Sequence, residues 1–435
     1  MNRRRFLQFS AALVGSPLLD RAVFAAAADE KLPVTGRDEP ALAGFDRMML
    51  GFMEKNEIPG AAMAIGRGGR IVYARGFGYA DVAKKEPVQP DALFRIASLS
   101  KSFTAVAILQ LQETGKLKLS EPAFKILGYK PHLENGASVD PRLWQITIAQ
   151  LLHHTGGFDR DAKESFDPMF QSFRIAEAMG TKPPAEPRQI IEYMMGRKLD
   201  FDPGMREAYS NFGYCVLGRI IEKLSGTPVY ATYVEREVLK PLGIHRMRIG
   251  RSLEKDRAPG EVRYYPRNDE RVNSVFGGGK RVPMAYGGWY LESLDSHGGW
   301  IASAPELVRY ASAFDHPDSC PVLKRASVEE LFRRPKDTGF TADGKPRDAY
   351  YACGWEVRPM GHGTMNTWHT GLLDGTSTLL VRRCDGLTWA VLFNKDYDAK
   401  GKALCGDVDP LVHPMADDVK TWPKGWEFED NAIKG

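Results

Sequence analysis

Ser98 and Lys101 stand three residues apart in "SLSK", directly ahead of the apolar run "FTAVAILQLQ". On a helix that spacing puts both side chains on one face, so the hydroxyl and the amine come within hydrogen-bond reach. A serine is a poor nucleophile until a base takes its proton. A lysine serves as that base only when its own pKa falls, and burial lowers it by up to about 3–5 units. The first turn of a helix also offers free backbone N–H groups and partial positive charge, which favour a developing oxyanion. A second copy of the pattern, Ser252-Leu253-Glu254-Lys255, lies in the charged stretch "RSLEKDR", where the lysine is solvated. The first copy opens a helix apolar on nearly every face, where an unpaired lysine would be costly.

Two further groups have the right chemistry. Tyr209-Ser210-Asn211 is the single Y-x-N of the chain. A tyrosine beside a cationic amine can act as a base, and an asparagine amide can both orient a lysine and bind a substrate carbonyl. The plainer alternative is a helix start with a packed tyrosine and a capping Ser or Asn. His369-Thr370-Gly371 falls between strand-like runs. There the N–H of Leu372 would give a second oxyanion donor and Gly371 would leave room for substrate; the alternative is a turn with a satisfied histidine. The same tripeptide occurs at His154-Thr155-Gly156.

The elements that must position these groups are legible in outline. Residues 44–57 carry helical periodicity, and "AAMAIGRGGRIVYARGFGY" reads as a hairpin around Gly68-Gly69. A buried helix runs from Ser98 to Glu113 with Gly115 as its stop. Thr147 with Gln150, and Ser303 with Glu306, make capping boxes, and "NFGYCVLGRIIEKLSG" is a second buried-faced helix. Residues 255–300 look like long loops. Strands return in "YYACGWEV", "TSTLLVRR" and "LTWAVLFN", the last two joined at Asp385-Gly386. This order predicts an α/β chain of the α+β type. Its mostly antiparallel sheet comes from the N- and C-terminal segments, is flanked by helices, and carries an inserted, mainly helical lobe. The expected boundaries are an α/β lobe over 40–125 and 300–395, a helical lobe over 126–299 and a wrapping tail over 396–435, all within one catalytic domain from residue 29.

Composition narrows the class. With 435 residues, 43% apolar and 26% charged, the chain is an ordinary globular one. Residues 1–28 hold Arg3, Arg4 and Arg5, a short apolar stretch and small residues near Ala25–Ala28, the pattern of an export signal of the twin-arginine kind. A periplasmic or secreted protein, with no transmembrane anchor after signal removal, is therefore expected. Without this segment the net charge falls from +4 to about +1, which gives no reason to expect nucleic acid as a partner. The five cysteines include no C-x-x-C pair, and their number leaves at least one thiol unpaired. No H-E-x-x-H or Cys/His ligand spacing calls for a metal, and no G-x-S-x-G elbow points to an α/β-hydrolase.

Taken in order, Ser98-x-x-Lys101, Tyr209-x-Asn211 and His369-Thr370-Gly371 resemble the motif set of the serine β-lactamase and penicillin-binding protein superfamily. The framing segments "LFRIASLSKSFTAVAILQLQETGKLKL", "ITIAQLLHHTGGF" and "GGWIASAPELVRYASAF" are similar to its class C β-lactamase and D-alanyl-D-alanine carboxypeptidase branch, over about residues 41–395. The resemblance implies a β-lactamase/transpeptidase-like fold and a serine hydrolase working through an acyl-enzyme on a small-molecule or peptide substrate, with no cofactor. It implies Ser98 as nucleophile, Lys101 as proton acceptor and Tyr209 as base or relay. Asn211, His369, Thr370 and Gly371 would meet substrate, the N–H groups of Ser98 and Leu372 would form the oxyanion hole, and His154 would be structural. Class C enzymes usually have Lys where His369 stands, so a weaker pull on substrate carboxylates is expected. That turns attention to D-amino-acid peptides rather than β-lactams, with a carboxylesterase as alternative because Trp368 lies beside the motif. A penicillin-binding sensor without turnover is the non-enzymatic alternative. Phe276, Tyr286, Trp289, Tyr290 and Trp300 would either wall the cleft or pack.

Overall fold

The computed structural model describes residues 31–426, apart from 135, 163–165, 269, 337 and 342–343. The export-signal reading of residues 1–28 lies outside the described residues.

One antiparallel sheet organises the chain. Along its main path the strands are β1 (Val34–Gly36), β2 (Gly60–Arg67), β3 (Arg70–Asp81), β4 (Tyr350–Tyr351), β5 (Glu356–Gly361), β6 (Thr364–Leu373), β7 (Thr376–Arg382) and β8 (Leu387–Phe393), with Glu86–Pro87 paired to β3 at the side. They run in the order β1-β3-β2-β8-β7-β6-β5-β4, so the N-terminal hairpin joins the C-terminal strands along a seam between β2 and β8. The β2–β3 turn places Gly68 and Gly69 at φ +56° and +78°, the left-handed pair that a two-residue hairpin turn requires.

Strand alternation sorts side chains into two cores. Ala61, Met63 and Ile65 of β2, with Trp389, Val391 and Phe393 of β8, face helices α1 (Ala43–Lys55) and α5 (Leu404–Asp418). Ala62, Ala64, Ala390 and Leu392 face the other way, onto a larger core that runs through α2 (Ser100–Glu113), α3 (Asn211–Ser225) and α4 (Ala304–Ser312). That core continues into the segments between residues 126 and 299. The two capping boxes at Thr147 and Ser303 form as their sequences predict, and α3 ends at Gly226 with φ +77°.

Two expectations need correction. The tail over 396–435 is not merely a wrapping segment: α5 occupies its middle and closes the sheet face beside α1, with Leu404, Val408 and Val412 buried. Pro410 and Pro414 inside the helix obscure its periodicity. The 255–300 region is not simply loop either, since Arg271–Asn273 pairs with Arg281–Pro283 as a short ribbon. All five cysteines are free.

Candidate active site

Ser98 sits in a 3-10 turn, Ala97–Leu99, that feeds α2. Ala97 adopts φ +48°, a left-handed conformation unfavourable for a residue with a side chain, and so presents the next residue on a sharp turn. Ser98 is half-buried and thus reachable, whereas Lys101, one helical turn on, is fully buried. Upstream, Arg95 anchors the segment. Its guanidinium donates to the carbonyls of Ala285 and Arg251 and lies against the rings of Tyr264 and Trp289.

Lys101 Nζ lies 3.2 Å from Ser98 Oγ, 2.8 Å from Asn211 Oδ1 and 2.9 Å from the His297 carbonyl oxygen. Burial holds the amine well below the ordinary lysine range; the nearby Arg160 charge pushes the same way, and Asp167 opposes both. In its neutral form the amine has two N–H bonds for its two fixed acceptors, Asn211 and His297. The remaining lone pair then faces the Ser98 hydroxyl, as a general base requires. Tyr209 completes the group through a hydrogen bond with Ser98. Its phenol is pushed up by burial, against the expectation that a neighbouring amine would ease its ionisation, so it keeps its proton.

His154, the first copy of the repeated tripeptide, cradles Tyr209. Its carbonyl accepts from Ala208 N at 2.8 Å and its Nδ1 from Ser210 N at 3.2 Å, one residue on either side of Tyr209. The imidazole lies 4.3 Å from the Tyr209 ring and 4.4 Å from that of Tyr351. Tyr351 in turn contacts His369 Nε2 at 3.1 Å, so the two His-Thr-Gly copies meet through one tyrosine.

The third motif is arranged differently from the expectation. In β6, His369 and Gly371 face the Ser98 side, while Trp368 and Thr370 pair with Val381 and Leu379 on the α5 side. Thr370 is exposed, and its side chain interacts with Cys405 there. Trp368 likewise faces away, which removes it as a marker of an esterase cleft. His369 is 5% exposed, donates from Nδ1 to the Thr370 carbonyl and is depressed to about 3 by burial, so it contributes no charge. Gly371 makes room for protein rather than for substrate. A Cβ there would collide with the Ile96 carbonyl oxygen and Thr378 Oγ1 and lie 3.1 Å from Ala97 Cβ. Its absence lets β6 run against the Ser98 turn, with the Leu372 backbone next in line.

Of the aromatic residues between 255 and 300, Trp300 is buried against Phe103 and Tyr230, Tyr286 lies tilted against Tyr264, and Trp289 donates to Asp374 at 3.0 Å. These pack, while Phe276 and Tyr290 form an outer pair. In the second S-x-x-K copy, Ser252 is buried and donates to Glu292, and Lys255 is exposed, so it is scaffold. Sequence reasoning missed Asp167, Arg160, His297 and Tyr351. Each reaches the site from a distant segment, and none carries a local signal.

A family model described as Beta-lactamase matches residues 45–411. Penicillin-binding protein 4* of Bacillus subtilis (strain 168) is 29% identical over 363 residues, covering 80% of this chain and 70% of that one. Among solved structures, the D-amino acid amidase from Ochrobactrum anthropi SV3 complexed with L-phenylalanine amide aligns at TM-score 0.63 and 19% identity. It covers 86% of this chain and 98% of its own. EstCE1, a hydrolase with promiscuous acyltransferase activity, aligns at TM-score 0.63 and 20% identity, with 88% and 99% covered. At such identities the structural matches speak for the fold.

Proposed function

The chain belongs to the β-lactamase family of serine hydrolases, and on that premise we propose that it hydrolyses amide bonds of D-amino-acid compounds through an acyl-enzyme on Ser98. The observation that carries this reading is Lys101 held between Asn211 Oδ1 and the His297 carbonyl with its third position on Ser98 Oγ. Lys101 takes the Ser98 proton as Oγ attacks the carbonyl carbon. The oxyanion forms against the N–H groups of Ser98 and Leu372. Tyr209 gives a proton to the leaving amine as the C–N bond breaks, and is reprotonated from the Lys101 ammonium. Water then attacks the ester carbonyl, its proton passing through the Tyr209 hydroxyl to the neutral Lys101 amine; as the acyl C–O bond breaks, the Lys101 ammonium returns a proton to Ser98 Oγ.

The choice of substrate rests on His369. A fixed ammonium at that position would anchor a carboxylate beside the scissile bond; a buried, neutral imidazole does not. D-amino-acid amides and short D-peptides therefore rank above β-lactams. The same neutrality favours an uncharged ester as the second reading. A panel of a D-amino-acid amide, a D-Ala-D-Ala peptide, nitrocefin and a short-chain nitrophenyl ester, each run with Ser98→Ala, separates these. The amide should have the highest kcat/KM; nitrocefin ranking first would contradict this substrate class. Acylation without steady-state product release on every substrate would instead identify a binder or sensor.

The leader sequence supports export to the periplasm or beyond. Mature protein recovered outside the cytoplasm, with its N-terminus near Ala28, is the expected result. Recovery only from the cytoplasm with residues 1–28 attached contradicts it.

A further inference from the structure

Behind the Lys101–Asn211 contact lies a pair of opposite charges for which the reaction above has no use. Asn211 Nδ2 donates to Asp167 Oδ2 at 2.7 Å, and Met169 N donates to Asp167 Oδ1 at 3.1 Å. Asp167 therefore settles which way the Asn211 amide points. With Nδ2 spent on a carboxylate, Oδ1 is left to face Lys101. The Asp167 side chain is 15% exposed, and its second neighbour is the guanidinium of Arg160, with Nη1 at 4.0 Å. The Arg160 guanidinium carbon stands 4.6 Å from the centroid of the Tyr209 ring. One carboxylate, from residue 167, and one guanidinium, from residue 160, thus flank the Lys101–Asn211–Tyr209 group.

We propose that Arg160 and Asp167 are positioning residues for acylation, Asp167 locking the Asn211 amide onto Lys101 and the two opposed charges together setting how readily Lys101 holds a proton. This inference rests on the reading of Ser98 as nucleophile and Lys101 as its base. The two charges act in opposite senses: Asp167 stabilises the ammonium and Arg160 destabilises it. The other groups around Lys101 carry no charge that would mask them. The rings of Tyr209 and Tyr214 lie 4.7 and 5.7 Å from Nζ, and both phenols are pushed up by burial. His154, His297 and His369 are each depressed by burial and stay neutral. Glu356, pushed up to about 7 by burial, acts on Tyr209 and not on Lys101, and burial raises Asp167 itself.

The test is the pH dependence of Ser98 labelling by a fluorophosphonate, a readout that needs no knowledge of the natural substrate. Labelling requires neutral Lys101, so its rate rises with pH through the Lys101 pKa. Asp167→Asn keeps an acceptor for Asn211 Nδ2 but deletes the charge that favours the ammonium. Its acid limb should move toward lower pH by about one unit. Arg160→Gln deletes the opposing charge, and its limb should move toward higher pH. Asp167→Ala, which also removes the acceptor, should slow labelling at the optimum by about tenfold or more. A folded Asp167→Asn protein whose acid limb stays at the wild-type position, or moves upward, overturns the proposal. If that variant does not fold, Arg160→Gln decides: an upward shift supports the pair and an unmoved limb overturns it. Labelling that persists in Ser98→Ala would bring down the underlying reading instead, so the two failures are distinguishable.

Discussion

At the scale of single residues the proposed chemistry turns on proton positions. The Ser98 proton has a basic acceptor within reach, the Lys101 amine at 3.2 Å. Lys101→Met should therefore lower kcat by about 10³-fold, and Tyr209→Phe by about 10²-fold, with smaller changes in KM, as steady-state kinetics on the best panel substrate would register. The pH profile follows from the directions already given. Activity needs Lys101 neutral and Tyr209 protonated; the first is held below its ordinary range and the second above. The rate should thus rise as Lys101 deprotonates, well below the usual lysine range, and fall only at strongly alkaline pH. An acid limb near pH 10 would contradict the burial argument. His154 belongs to this scale too. His154→Leu strips Ser210 N of its acceptor and forces a leucine into φ +59°, which together should cost about 2–4 kcal/mol in urea unfolding and lower kcat more than it raises KM. His154→Asn, whose short polar side chain tolerates that backbone, should lose less.

At the scale of elements, the site depends on how closely a strand approaches a turn. Gly371→Ala puts a methyl group into the Ile96 carbonyl and Thr378, neither of which can swing aside as a long side chain would. We expect a loss of about 1–3 kcal/mol in thermal unfolding, with slower labelling because the Ser98 turn is pushed off β6. Unchanged stability and labelling would show that β6 does not hold that turn. This scale also marks what could be read beforehand. The β2–β3 hairpin, the two capping boxes and the S-x-x-K helix were legible because each is written within a few consecutive residues. The pairing of Asp167 with Asn211, 44 residues apart, and of Tyr351 with His369 was not, since nothing local distinguishes those residues from ordinary packing. The faces of β6 lay between these cases. Alternation separates Thr370 from His369, but which face meets Ser98 is decided by the register with β7. The helix α5 was obscured by its own Pro410 and Pro414.

At the scale of the molecule, the two ends of the chain build one sheet, and the residues between them build the far side of the cleft. The β2–β8 seam joins segments more than three hundred residues apart, with Ala61 opposite Phe393. Amide exchange should be slowest along this seam, at the global unfolding free energy, and faster in the ribbon at residues 271–283. The same closure brings β6 from the C-terminal half against the Ser98 turn from the N-terminal half, which is why the site cannot assemble from either half alone. The most direct measurement is the intact mass and peptide map of the protein after reaction with a fluorophosphonate. One adduct is expected, mapped to Ser98, absent in Ser98→Ala and formed far more slowly in Lys101→Met. An adduct on another residue, or equal labelling of Ser98→Ala, would contradict it.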